Sequence, residues 1–271
     1  MSTFDSTKTQ LSKVLEEITE GKIQLPDFQR GWIWDDEHIR SLMVSIARLF
    51  PIGAVMLLEN GGETKFRVRP IEGIEYDTTF HKRAERLILD GQQRLTSLTQ
   101  VLKLDRPVVT TDSKKKRIER YYYIDIEKAL AGAEYYDEAF FGVEKDKILR
   151  ENFGRDIKID LSTKEKEYEQ MSFPCTQILN SDDWEEGLHE YAPEKFQMYM
   201  SFRKTILTNF RGYELPIIEL KRDNKKEAVC LVFEKVNTGG VPLSIFELVT
   251  ATYAADNVNL RDEWYGNKKL G

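Results

Sequence analysis

Asp90-Gly91-Gln92-Gln93-Arg94 places an acid, a glycine and an arginine within one short turn, the residue types that phosphate chemistry uses. Leu87-Ile88-Leu89 precedes it and is short and apolar, as a buried strand is. Leu95, Leu98, Val101 and Leu102 follow at helical spacing. A strand that turns directly into a helix aims the first amides of that helix at the space above the turn, which suits an anion. An arginine in the same first turn meets the positive end of the helix dipole, a conflict that a bound polyanion would resolve. A second account fits the same residues. Asp-Gly is a common turn, Asp90 can cap the helix, and Arg94 can pair with a structural carboxylate. Spacing alone does not choose between the two.

Two further segments hold residues of the same kind. Gln29-Arg30 lies between Phe28 and the pair Trp32 and Trp34. An arginine among aromatics in an extended segment can grip phosphate bidentately or stack beside a base. Equally, the aromatics can anchor the segment while Arg30 reaches solvent. Asn237-Thr238-Gly239-Gly240 joins two apolar-periodic stretches, with Ser244 placed to cap the second. Paired glycines permit close approach to a ligand, and they also suit an ordinary helix end. Lys114-Lys115-Lys116-Arg117, just before Tyr121-Tyr122-Tyr123, is the one dense cationic run. It reads either as a nucleic-acid contact or as a solvated loop leading into a strand.

The elements that must position these residues follow from periodicity. Helices are expected over 8–20, 36–49 with Asp35 as cap, and 92–102, with strands over 54–58, 87–89, 121–126 and 213–220. Segments 127–142 and 144–153 read as helical, as do 175–180, 182–190, 193–210, 224–236 and 244–255. Residues 60–82 read as a loop or hairpin insertion. The expectation is an α+β fold: a core over 1–130 and a mostly helical extension over 131–271 that brings in the 237–244 segment.

Bulk properties narrow the class. The chain has 271 residues, 41% hydrophobic and 32% charged, ordinary for a globular protein with a sizeable core. A net charge of −6 argues against a generally basic surface without excluding a local cationic groove. No apolar run reaches membrane-spanning length, and the N-terminus lacks signal-peptide character, so a cytoplasmic protein without a membrane role is the default. Cys175 and Cys230 form no CxxC pair, and His38, His81 and His189 are not at metal-ligand spacing. Neither the P-loop pattern nor the dinucleotide G-x-G-x-x-G is present.

L-P-D-F-Q-R-G-W-I-W (25–34), I-L-D-G-Q-Q-R-L-T-S-L (88–98) and F-E-K-V-N-T-G-G-V-P-L-S (233–244) together resemble the N-terminal domain of GmrSD-type, modification-dependent (type IV) restriction proteins. The resemblance runs from about 10 to 255. It implies a ParB/sulfiredoxin-like core, a small mixed sheet with helices that binds nucleotide phosphates at a strand–turn–helix. It assigns Asp90, Gln93 and Arg94 to nucleoside triphosphate hydrolysis. Gln29, Arg30, Gly91, Gln92, Asn237 and Gly240 would bind the nucleotide, and Phe28, Trp32 and Trp34 would sense a modified base.

The function so implied is an NTP-hydrolysing, DNA-sensing domain of an anti-phage restriction system. Hydrolysis would be coupled to cleavage of modified, phage-type DNA by an HNH-type nuclease, carried C-terminally or on a separate protein and absent from these residues. Asp90 would orient water or hold Mg²⁺. The alternatives are a non-hydrolysing modified-DNA-binding module and a ParB-like nuclease acting directly. Homo-oligomerisation stays open.

Overall fold

The computed structural model describes residues 4–224, except 28, 30, 62–65, 78, 153 and 154, together with 228, 229 and 232. The expected helices over 224–236 and 244–255 and the segment 237–244 lie outside or almost wholly outside the described residues. The first part of the chain runs β1 (Phe4–Gln10), α1 (Leu11–Thr19), β2 (Ile23–Pro26), α2 (Asp36–Ala47), β3 (Val55–Glu59), β4 (Val68–Arg69), β5 (Arg86–Asp90) and α3 (Gln92–Lys103). The second part runs β6 (Val108–Thr111), β7 (Arg117–Asp125), α4 (Ile126–Ala131), α5 (Tyr136–Ala139), β8 (Phe140–Glu144), β9 (Ile148–Glu151) and β10 (Asp156–Asp160). It continues through α6 (Lys164–Glu169), β11 (Ser172–Pro174), α7 (Asp182–Tyr191), α8 (Phe196–Phe202), α9 (Thr208–Arg211) and β12 (Glu214–Leu220). The fold is α+β. Among the described residues, no helix is long and apolar enough to cross a membrane.

Six strands form the sheet that carries the motif turn, in the order β1-β12-β3-β5-β2-β4. β5 sits inside it, parallel to β2 and antiparallel to β3. Its side chains alternate between two cores, as a strand's period of two requires. Ile88 enters the main core with α1, α2 and α3, while Leu87 and Leu89 enter a smaller cluster on the other face with Leu58, Phe66, Leu220 and Val229. The β3–β5 register shifts at the end of β5: Met56 pairs with Asp90 but Leu57 pairs with Ile88. Leu89 is therefore an extra residue, a bulge that re-aims the chain immediately before Asp90.

The helical reading of 127–142 and 144–153 needs correction. α4 ends at Gly132, whose φ of +147° breaks the helix, and only the short α5 follows. Phe140-Phe141-Gly142-Val143 then form β8, paired antiparallel with β7. Aromatic and β-branched residues favour that pleated surface, and their apolar spacing mimics a helix over so short a run. β9 and β10 form a separate hairpin, and β11 pairs with β7. The second half of the chain is thus mixed. It also supplies β12 to the first sheet, so that sheet draws on both sides of residue 130.

A main core runs continuously from Leu11 to Ile217. Its aromatic centre is Trp184, whose ring lies 5.0–5.2 Å from those of Phe173, Tyr168 and Tyr199. Leu95 and Leu98 of α3 belong to the same core.

Candidate functional site

The turn between β5 and α3 is built around one arginine. Arg94 Nη1 donates to the Ile52 carbonyl at 2.6 Å, and Nη2 donates to the Ala54 carbonyl at 2.9 Å and to Asp90 Oδ2 at 3.2 Å. Two glycines make room for it. A Cβ at Gly53 would stand 2.5 Å from Nη1, and one at Gly91 would stand 3.5 Å from Nη2 and 3.1 Å from Val55 Cγ2. Both glycines have left-handed backbones, with φ of +89° and +92°. Arg94 therefore ties the 52–54 loop to the motif turn, and it pairs with a carboxylate as the turn account of these residues anticipates. The side chain of Arg94 is only 17% exposed, whereas that of Asp90 is 36% exposed.

Gly91, not Asp90, occupies the N-cap of α3, and no side chain caps that helix. A left-handed glycine at the N-cap turns the chain sharply and has no side-chain oxygen of its own to offer the first turn. The strand–turn–helix expected from the sequence is thus present, with Arg94 in a structural role.

The Gln29 and Asp90 segments meet. Buried Gln29 donates through Nε2 to the Ile88 carbonyl and, at 3.3 Å, to that of Leu89, the two residues before Asp90. Arg69 Nη2 donates to the Gln29 carbonyl at 3.2 Å. Gln93 faces the other way: its Oε1 accepts from Ile33 N at 2.9 Å and its Nε2 donates to the Gly31 carbonyl at 3.3 Å. Trp32 Nε1 donates to Ser97 Oγ on α3 at 3.1 Å, and Trp32 N donates to Glu72 Oε1 at 3.0 Å. Two glutamines and an indole thus tie Gln29, Gly31, Trp32 and Ile33 to the turn and to α3. Trp32 and Trp34 are half-buried and pack on the main core. Gln92 is buried at the first position of α3. Phe28, Arg30, Asn237 and Gly240 lie outside the described residues.

Asp35 extends this network to the cationic run. It caps α2, its Oδ1 accepting from His38 N at 3.1 Å and from His38 Nδ1 at 2.6 Å, and its Oδ2 accepting from Lys115 Nζ at 3.3 Å. Burial pushes the Asp35 carboxyl up, but the hydrogen bonds from His38 and Lys115 outweigh it and hold the group at about 2. Thr110 Oγ1 donates to the Trp34 carbonyl at 2.6 Å, fastening the β6–β7 hairpin to the same segment.

Residues outside the three motifs matter as much. Gly53, Arg69 and Glu72 hold the motif residues in place, and only Gly53 carries a local signal, the turn composition of Pro51-Ile52-Gly53. Asp90 already accepts from Arg94, and among the described residues no group of three His, Cys, Asp or Glu side chains is placed to hold a metal.

An α+β scaffold with a glycine-capped strand–turn–helix, clasped by a second glutamine-bearing segment, defines the class of protein. The chain belongs to the family of the GmrSD restriction endonuclease N-terminal domain, which it matches over residues 11–254. It is also similar to the uncharacterised protein MJ0686 of Methanocaldococcus jannaschii, at 29% identity over 265 residues. That match covers 94% of this chain and 43% of the relative, so the chain spans less than half of the relative's length.

Proposed function

We propose that this restriction-family domain binds and hydrolyses a nucleoside triphosphate at the Asp90–Arg94 turn, and that hydrolysis governs cleavage of modified DNA by a nuclease carried C-terminally or by a partner. One observation carries the reading: the turn is tied down by Gln29, Gln93 and Arg94, with Gly53 leaving room for the guanidinium, yet the N-cap of α3 is a glycine with no capping side chain. Preorganised amides at a fixed helix start are what phosphoryl transfer requires, because its catalysis is mainly positioning and charge stabilisation. The phosphates would lie over the first turn of α3. Asp90, more exposed than Arg94, would orient the water that attacks the terminal phosphorus as the bond to the bridging oxygen breaks, releasing the nucleoside diphosphate and phosphate. Arg94 becomes a positioning residue in this scheme, because its described hydrogen bonds go to Ile52, Ala54 and Asp90.

Phosphate release from each of the four NTPs, with and without modified duplex DNA, tests the proposal in wild type and Asp90→Asn. Asparagine keeps the acceptor for Arg94 and removes the charge. A loss on the order of 100-fold is expected, the scale of losing one positioned catalytic group. The unfolding midpoint should stay unchanged. No release from any NTP by the wild type, or equal release by the variant, overturns the assignment.

A further inference from the structure

The β6–β7 hairpin carries four consecutive cations, Lys114, Lys115, Lys116 and Arg117, at an exposed tip on a chain whose net charge is −6. The tip is an ordered turn. Asp112 Oδ1 accepts from Lys114 N at 2.8 Å and from Lys116 N at 2.9 Å, while Lys115 N donates to the Asp112 carbonyl at 2.9 Å. Lys115 holds a left-handed backbone, φ +62°, where glycine or asparagine would sit with less strain. A residue that breaks a local rule marks a place where something other than local stability has set the choice. Part of the explanation is structural, since Lys115 reaches back to Asp35. The other three cations have no such partner: among the described residues, no ion pair forms to Lys114, Lys116 or Arg117. Their charges therefore stand uncompensated on a turn whose shape is set by Asp112.

The hairpin is also placed with respect to the candidate site. Thr110 and Lys115 fasten it to Trp34 and Asp35, and Gln93 of the motif turn holds the same segment at Gly31 and Ile33. Exposed apolar side chains at Ile33 and Val109 lie on the two joined elements. An ordered row of unpaired cations suits a regular line of phosphates better than a single small anion, which needs convergent donors.

We propose that the tip of the β6–β7 hairpin, through Lys114, Lys116 and Arg117, is a contact for the phosphate backbone of double-stranded DNA, held beside the Asp90–Arg94 turn by the Trp34–Asp35 segment. The inference rests on the reading of this domain as DNA-responsive and names the surface that would meet the DNA. Such contacts add affinity for any sequence and leave the choice of modification to other residues.

The test is duplex-DNA affinity by fluorescence anisotropy across salt concentrations, with wild type and the triple variant Lys114→Ala/Lys116→Ala/Arg117→Ala. Three lost phosphate contacts should flatten the plot of log affinity against log salt by roughly 2.7, at about 0.9 per contact. Phosphate release without DNA should be unchanged. Thermal unfolding of both proteins, and the single variant Lys116→Glu with a smaller loss in the same direction, separate a binding defect from a folding one. A wild type that binds no duplex DNA at low salt defeats the DNA-responsive reading and this proposal with it. A wild type that binds while the triple variant keeps its affinity and slope overturns the hairpin assignment alone. Unchanged DNA binding with lost affinity for polyglutamate would assign the tip to an acidic protein surface and overturn it as well.

Discussion

Replacing Gly53 with alanine puts a methyl group where Arg94 now lies, 2.5 Å from Nη1 and 3.3 Å from Cζ. Two costs follow. A left-handed backbone at a residue with a Cβ costs roughly 1–2 kcal/mol. Displacing the guanidinium breaks its bonds to the Ile52 and Ala54 carbonyls, and at 17% exposure water replaces them only in part. A charge-assisted hydrogen bond contributes about 1.5–3 kcal/mol, so one such loss with partial resolvation of the other gives about 2 kcal/mol. Gly53→Ala should therefore destabilise by about 3–4 kcal/mol, which moves a urea midpoint by roughly 1 M at an m-value of about 3 kcal/mol/M. The decisive comparison is a double-mutant cycle with Arg94→Ala. Once the guanidinium is gone, alanine at 53 loses the atoms it stood nearest to and costs mainly its backbone term, so the two effects should couple by about 2 kcal/mol. Additivity within about 0.5 kcal/mol would show that Arg94 does not seat on Gly53 and would refute the account of the turn.

Two other outcomes follow from the same network. Because the carboxyl of Asp35 sits at about 2, below its ordinary 3.8, its contribution to stability is complete above about pH 4 and drains away as pH falls towards 2. Acid unfolding of Asp35→Asn, followed by circular dichroism, should lack that part of the pH dependence while being less stable than wild type at neutral pH. Gln29→Ala removes the buried donor to the Ile88 and Leu89 carbonyls and should cost about 1–3 kcal/mol in chemical denaturation, with phosphate release falling in step. A Gln29→Ala protein as stable as wild type would remove this glutamine from the support of Asp90.

How far the sequence could be read depended on the range of the interactions. β5 and α3 were legible because Leu87–Leu89 form a short apolar run and Leu95, Leu98, Val101 and Leu102 repeat at helical spacing. Asp35 was legible as a cap because capping is local, and the structure shows it accepting from His38 N. β8 was not, because its pairing with β7 and the break at Gly132 outweigh the apparent periodicity of 127–142. The partners of Arg94 were invisible for a different reason. They are main-chain carbonyls forty or so positions away, which any side chain at 52 or 54 would supply. The cationic cluster was visible as composition, but its ordered tip depends on Asp112 and on the left-handed Lys115, which no count of charges reveals.

The position of β12 has a consequence for how this protein is made. β12 lies between β1 and β3, pairing antiparallel with one and parallel with the other, so the strand that joins β1 to the rest of the sheet is missing until residue 220 leaves the ribosome. At ordinary elongation rates β3 then waits on the order of ten seconds with the edge that receives β12 open. That strand, with Val55, Leu57 and Leu58 among its five residues, is the kind of apolar edge that pairs with foreign chains. Until β12 arrives, that edge is where a shielding chaperone would act. A chain truncated before β12 is expected to aggregate rather than fold as a smaller module, which light scattering of the two lengths would check.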